Sequence, residues 1–184
     1  MTALSDTQRQ RLLEIARESI RHGLAHGKPL SVRDEDAALL QPGASFVTLN
    51  LHDELRGCIG SLEAHQPLVK DVAQNAFSAA FRDPRFPPLT DREFAALDLH
   101  ISILSPSEPL HFSSESDLLR QLRPGIDGLV LSDGYHRGTF LPQVWEQLPE
   151  PAEFLAHLKR KAGLPVNYWS PTLQVERYTV DSIP

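Results

Sequence analysis

The stretch Glu54-Leu55-Arg56-Gly57-Cys58-Ile59-Gly60 decides the predicted fold of this chain. It follows Phe46-Val47-Thr48-Leu49-Asn50-Leu51, in which apolar and polar residues alternate as they do in a half-buried strand. The residues between them are polar and suit a turn, so the chain is expected to return as a second strand from Leu55. The pattern therefore predicts an antiparallel hairpin whose second strand is rich in glycine.

The second strand carries the only cysteine of the chain, Cys58. Strand side chains repeat every two residues, so Arg56 and Cys58 are expected on one face. A guanidinium beside a thiol favours the thiolate, the form that attacks electrophiles or binds metal. Gly57 and Gly60 would let a ligand or a second backbone approach closely. The alternative is a buried cysteine that acts as a small apolar residue.

A loop rich in proline and charge follows the next predicted helix. It runs from Phe81 to Pro88 and holds Asp83 and Arg85 at fixed angles, because proline restricts its own backbone and that of the residue before it. One interpretation is an anion-binding or catalytic loop near Cys58. The other is a structural clamp between the arginine and the aspartate, which suits bidentate pairing.

Hydrophobic periodicity predicts further helices and strands along the whole chain. The clearest is a strand at Leu97–Leu104, where apolar and polar residues alternate strictly until the strand ends. The other predicted elements are helices at residues 6–23, 68–80, 114–122, 142–148 and 152–162, a hairpin of 129–132 with 137–141, a last strand at 173–180, and an extension of the second strand through 62–63.

The hexapeptide Leu55–Gly60 resembles the signature of the AMMECR family, whose prokaryotic members are called AmmeMemoRadiSam system protein A. Five further blocks continue the resemblance in the family's order and cover most of the chain. These blocks are Ala79–Leu89, Ile101–Pro106, Gly125–Val130, Gly138–Trp145 and Lys161–Leu164. The chain is therefore identified as a member of this family.

The resemblance implies an α+β fold with a twisted, mainly antiparallel sheet flanked by helices and a smaller α/β subdomain. Residues 1–184 are then one AMMECR-type domain, divided at an unknown boundary into a main body and the subdomain. The family's prokaryotic name implies a shared system with a Memo-type, dioxygenase-like protein and a radical SAM protein. Its hallmark positions correspond here to Leu55–Gly60 and to Asp83-Pro84-Arg85-Phe86.

Composition restricts the classes of function. A formal net charge of −6 argues against a broad surface for nucleic acid, and a single cysteine excludes an internal disulfide framework. No apolar run approaches the length that spans a membrane, so a reducing cytoplasm is the expected compartment. No Walker loop, Rossmann glycine fingerprint or Gly-x-Ser-x-Gly elbow occurs, so no cofactor is predicted, and the chemistry must come from side chains or from a metal site assembled across the fold. No His-x-x-x-His zinc pair and no pair of cysteines with metal-site spacing occurs, so no metal-binding residues are assigned.

Two functions of different classes follow from these observations. The first is a cofactor-independent enzyme that uses Cys58 on a small anionic substrate, with a base or cation supplied by Arg56 or by a histidine. The second is a non-catalytic binding or adaptor protein that recognises a partner protein, a nucleotide or RNA through the Arg-Gly-Cys-Ile-Gly pocket. The candidate catalytic residues are Cys58 and Arg56, the candidate ligand-binding residues are Gly57, Gly60, Asp83, Arg85, Arg137 and Thr139, and the candidate bases are His65, His100 and His136.

Overall fold

The structure, a computed structural model, describes residues 3–184 and divides into two compact units. The first unit ends at Leu104 and takes in Asp181–Pro184, and the second unit spans Ser105–Val180. Each unit has its own sheet and its own hydrophobic core. The two sheets are antiparallel, with helices packed on them, so the predicted α+β class is confirmed.

Along the chain, single helices or pairs of helical segments alternate with pairs of strands. The helices are α1 (Asp6–His26), α2 (Leu68–Phe81), α3 (Asp91–Phe94), α4 (Glu115–Gln121) and α5 (Pro151–Lys161), with a 3-10 helix at Pro142–Glu146. The strands are β1 (Ala44–Leu51), β2 (Glu54–Gly60), β3 (Leu97–Leu104), β4 (Glu108–Pro109), β5 (Gly128–Asp133), β6 (His136–Phe140), β7 (Gln174–Tyr178) and β8 (Val180–Ile183).

The first unit packs α1 and α2 over a sheet of strand order β2-β1-β3-β8. Helix α1 begins at a capping box, in which Ser5 and Gln8 exchange side-chain and backbone hydrogen bonds, and it ends at Gly27 with a φ of 71°. The apolar stripe of α2 and the inward residues of β1 and β3 form one core. Val47, Leu49 and Ile101 are among its fully buried members.

The hairpin of β1 and β2 forms as the alternation predicts. His52 and Asp53 both have positive φ, 51° and 66°, which suits a two-residue turn between antiparallel strands. The register pairs Thr48 with Cys58 but shifts between Leu49 and Asn50, so that Arg56 is the extra residue of a bulge. Because β2 lies at the edge of its sheet, the outer side of this bulge is free to meet other elements of the unit.

The second unit packs α4 and α5 against a sheet of strand order β4-β7-β5-β6. Trp145 anchors its core. The indole stacks on Phe154 with ring centroids 3.7 Å apart, and its Nε1–H donates to the carbonyl oxygen of Asp127 at 2.7 Å. Both the apolar ring and the polar N–H group of this indole therefore have partners in the core.

Three predicted elements are wrong in detail. The last strand, predicted at 173–180, is two strands in different sheets, because the backbone of Thr179 bonds to Ser105 and interrupts the run. The helix predicted at 142–148 is a 3-10 helix that ends at Glu146. The second hairpin strand stops at Gly60, so residues 62–63 do not extend it.

Candidate functional site

The thiol of Cys58 lies on the face of β2 that points away from α2. Gly57, its neighbour, faces α2, and successive strand residues point to opposite sides. Cys58 is half-buried, and its Sγ lies 3.2 Å from Oγ1 of Thr48, the residue opposite it on β1. The cysteine is therefore neither a core residue nor a fully exposed one, and a hydroxyl contacts its sulfur.

Asp83 joins the proline-rich loop to the backbone of Cys58. Its carboxylate accepts a hydrogen bond from the Cys58 N–H at 3.0 Å, and from Arg85 Nη2 at 2.7 Å, Nε at 3.0 Å and backbone N at 3.1 Å. The Arg85 hydrogen bonds, more than any other contact, hold the pKa of Asp83 well below its usual range. Asp83 and Arg85 therefore form a clamp, and the clamp lies beside the backbone of Cys58.

Arg85 is the cation of the clamp that reaches solvent. Its side chain is 54% exposed, whereas that of Asp83 is 2% exposed. The pKa of Arg85 is raised, chiefly by the side-chain hydrogen bonds to Asp83. Arg85 is therefore the charged group of the clamp that a ligand could reach.

The guanidinium of Arg56 forms its hydrogen bonds with residues other than Cys58 and Asp83. Its Nε donates to Glu93 Oε1 at 2.8 Å, and its Nη2 donates to the Pro87 carbonyl at 2.7 Å and to Glu93 Oε2 at 3.3 Å. The side-chain hydrogen bonds from Arg56, more than any other contact, lower the pKa of Glu93 to about 2. The role of Arg56 as activator of Cys58 stays a prediction, since the contacts observed for its guanidinium are with Glu93, Pro87 and the Phe86 ring.

One donor of Arg56 has no acceptor. The residue is 7% exposed, and its Nη1 is buried without a hydrogen-bond partner anywhere in residues 3–184. A buried, unpaired guanidinium nitrogen is costly to the folded state. Two cations of the site approach the ring of Phe86, whose centroid is 5.7 Å from the Arg56 guanidinium carbon and 5.4 Å from that of Arg85.

The two glycines of the hexapeptide serve packing. A Cβ at Gly57 would overlap the carbonyl oxygen of Ala79 in α2, so the second backbone that approaches this glycine is that of α2. A Cβ at Gly60 would overlap the ring of Phe46. The expected approach of a ligand to either glycine stays a prediction.

Arg137 and Thr139 belong to the second unit, on β6. The Thr139 hydroxyl donates to the Leu129 carbonyl at 2.8 Å and lies 2.9 Å from the Tyr178 hydroxyl. Burial raises the pKa of Tyr178 to about 12. The first unit by itself brings together Arg56, Cys58, Asp83 and Arg85, and a ligand-binding role for the two β6 residues stays a prediction.

The three candidate bases have distinct surroundings. His65 is exposed in the loop after β2. His100 lies on β3 opposite Thr48, and its Nε2 is 3.0 Å from Oδ2 of Asp98. His136 lies in the second unit, with its Nδ1 3.1 Å from the carbonyl oxygen of Ala162. None of the contacts described for residues 3–184 joins a histidine to the Cys58 sulfur.

Sequence reasoning did not single out Thr48 and Glu93. The register of the predicted hairpin could have found Thr48, because it is the β1 residue that pairs with Cys58. Glu93 is the last residue of a Thr90-x-x-Glu93 capping box, and this role in the helix gives no sign that the same side chain also binds Arg56.

Across residues 3–184, no group of three or more His, Cys, Asp or Glu side chains is arranged to hold a metal ion. None of the helices in this range is long and apolar enough to cross a membrane.

The fold and the site define an α+β protein with two antiparallel sheets and a half-buried thiol held beside an Asp–Arg clamp. The sequence profile of the AMMECR1 family matches residues 13–183. The chain belongs to the AMMECR1 family.

Relatives and a solved structure agree with this assignment. A protein of Methanothermobacter thermautotrophicus is 39% identical over 178 residues, which cover 95% of this chain and 93% of the relative. A protein of Methanopyrus kandleri is 36% identical, over 89% of this chain and 82% of the relative. The crystal structure of an uncharacterised protein from Pyrococcus horikoshii superposes with a TM-score of 0.90 at 33% identity, and covers 97% of this chain and 92% of that one.

Proposed function

We propose that this AMMECR1-family protein is a cofactor-independent enzyme that uses Cys58 as a nucleophile on a small anionic substrate. The observation that carries the proposal is the half-buried thiol, held by Thr48 at its sulfur and by Asp83 at its backbone N–H, with the guanidinium of Arg85 paired to the same carboxylate. A thiol that served only as a small apolar residue needs neither a hydroxyl contact nor a nearby cation.

The chemical step requires the thiolate. The Sγ–H proton leaves to solvent, and the Thr48 hydroxyl then donates a hydrogen bond to the sulfur anion. With a carbonyl substrate, the thiolate adds to the carbon, a C–S bond forms, and the π electrons of the C=O bond move onto oxygen. Arg85 is exposed enough to bind an anionic group of the substrate while its other donors keep Asp83 in place.

The preference for an anionic substrate is supported by the exposed guanidinium of Arg85. Its side chain is 54% exposed, and an oxyanion is the acceptor that a guanidinium binds most strongly. The site has no excess positive charge, because Glu93 balances Arg56 and Asp83 balances Arg85. A substrate with a single negative charge therefore fits better than a polyanion.

Alkylation of Cys58 by iodoacetamide in the native protein tests the proposal. At pH 7 we expect rapid reaction, slowed about two- to fivefold in Arg85→Gln, because a partly exposed ion pair contributes about 0.5–1 kcal/mol. Arg82→Gln, which neutralises another exposed arginine of the same loop, should leave the rate unchanged. The small anion bicarbonate, chosen as a probe, should slow the reaction in the wild type.

Reaction only after denaturant is added would overturn the enzyme proposal. That outcome would favour the second function, a binding or adaptor protein for a partner protein, a nucleotide or RNA. Equal rates in the Arg85→Gln and Arg82→Gln variants would remove Arg85 from the mechanism. Both variants should be checked for unchanged far-UV circular dichroism, because Arg85 also holds the loop.

The resemblance to the AmmeMemoRadiSam proteins extends the proposal to partners and compartment. We place the enzyme in a system with a Memo-type protein and a radical SAM protein, in the cytoplasm, where a reducing environment keeps Cys58 as a thiol. Co-expression of the three chains with an affinity tag on this one should retain both partners after washing. Retention of neither partner would contradict a stable assembly.

A further inference from the structure

The second unit contains a groove that has no part in the thiol site. It has a volume of about 490 Å³, within the range of small-ligand sites, and lies at the edge of the sheet where β4 leaves β7. Just after β4, one more backbone hydrogen bond joins the Leu110 N–H to the Val175 carbonyl oxygen at 2.8 Å. Beyond it the chain diverges, and residues 111–113 and 169–171 form the two walls.

Aromatic side chains line one side of this groove. Trp169 is 37% exposed although it is large and apolar, and its ring lies 5.5 Å from that of Phe112 at an angle of 59°. The buried ammonium group of Lys159 lies 5.8 Å from the centroid of the Trp169 ring. The indole of this site therefore already accommodates one ammonium group, as expected from its negative π face.

The lining also includes a glutamate without a partner. Glu176 lines the groove and is half-buried, yet its side chain forms no hydrogen bond or ion pair with any residue from 3 to 184. Arg177, the residue that follows Glu176, and Lys159, the cation at the Trp169 ring, have other partners. Arg177 Nη1 is 3.4 Å from the Gln121 carbonyl and 4.0 Å from Asp127, and Lys159 is 2.8 Å from Glu115.

We propose that this groove binds an organic cation, an ammonium group on a small apolar body. Trp169 and Phe112 would contact the apolar body and the cation, and Glu176 would supply the counter-charge. The net charge of −6 on the chain favours the approach of a cation over that of an anion. The cation is either a free amine or a lysine side chain of a partner peptide, which share this chemistry.

Tryptophan fluorescence tests the inference, since only one of the two tryptophans reaches solvent. Trp145 is 3% exposed and hydrogen-bonded in the core, so a ligand-dependent change in emission reports on Trp169. The probes are choline, for a free amine, and N-acetyl-lysine methylamide, for a lysine side chain. The control is 3,3-dimethyl-1-butanol, which has the shape of choline without its charge, and sodium chloride keeps the ionic strength constant.

We expect a saturable change with at least one of the cations at millimolar concentration and none with the neutral alcohol. Tighter binding of choline would identify a free amine, and tighter binding of the lysine derivative would identify a partner's side chain. Glu176→Gln should weaken binding about fivefold, the effect of one partly exposed ion pair. Glu153→Gln, an exposed glutamate of α5, should not.

Trp169→Phe should abolish the fluorescence change. Saturation-transfer NMR on choline methyl protons then measures binding in that variant independently of fluorescence. No saturable response to either cation, or equal affinity in Glu176→Gln and wild type, would overturn the inference. These outcomes are independent of Cys58, so failure here leaves the proposed thiol chemistry intact.

Discussion

The ion pair of Arg56 and Glu93 allows the most quantitative prediction on stability. Glu93→Gln keeps the size of the side chain but leaves the buried guanidinium without its counter-charge. The pKa of Glu93 falls from 4.5 to about 2, and each pKa unit corresponds to about 1.36 kcal/mol. The shift amounts to about 3 kcal/mol. Because the carboxylate is 30% exposed and solvent screens it, we expect a loss of about 2 kcal/mol at pH 7.

The pH dependence of this loss has a definite sign. A carboxyl group whose pKa is lower in the folded state stabilises that state at pH values above its ordinary pKa, and the stabilisation disappears as pH falls through the folded value. The difference in free energy of unfolding between wild type and Glu93→Gln should therefore be full at pH 7. It should shrink steadily between about pH 4.5 and about pH 2.

Urea unfolding at a series of pH values measures this difference. Far-UV circular dichroism is the suitable signal, because α1 and α2 lie in the same unit as Glu93, whereas both tryptophans lie in the other. Glu54→Gln is the matched control, an exposed glutamate of β2. A loss no greater than that of the control, or a loss independent of pH, would refute the reasoning.

Three further changes test the packing and one buried phenol. Gly57→Ala places a Cβ on the Ala79 carbonyl and should cost about 2 kcal/mol in urea unfolding, more than Gly60→Ala, whose Cβ meets a ring that can rotate; equal losses would contradict the overlap. Asp71→Asn should cost about 3 kcal/mol, because both oxygens of this fully buried carboxylate accept hydrogen bonds, and a stability within about 0.5 kcal/mol of wild type would contradict this. Spectrophotometric titration should show a phenol that ionises near pH 12 and is absent from Tyr178→Phe; its persistence in the variant would assign it elsewhere.

Local patterns were sufficient to predict the elements that carry the thiol site. The alternation in β1, the polar turn and the second strand are features of neighbouring residues, so the hairpin follows from a short stretch of sequence. The clamp of Asp83 and Arg85 is equally local, because the two residues are two positions apart and the one residue between them, Pro84, restricts the backbone. The part of the site that depends on short-range geometry was therefore accessible from the sequence.

Contacts between residues far apart in the chain could not be predicted from the sequence. Arg56 and Glu93 are separated by 37 positions, and nothing in either local pattern selects Glu93 over Asp83 as partner of the arginine. The bulge that makes Arg56 the extra residue depends on the pairing of β1 with β2. The break at Thr179 likewise depends on its bonds to Ser105, since alternation continues through it.

The bond from the Cys58 N–H to Asp83 has a consequence for solubility. Strand β2 is an edge strand, and the unpaired N–H groups of an edge can template the addition of a strand from another molecule. Asp83 caps this N–H with a carboxylate and places the proline-rich loop beside it. A neighbouring chain would have to displace a buried charge before it could extend the sheet, so the clamp that binds the Cys58 N–H also protects this edge against aggregation.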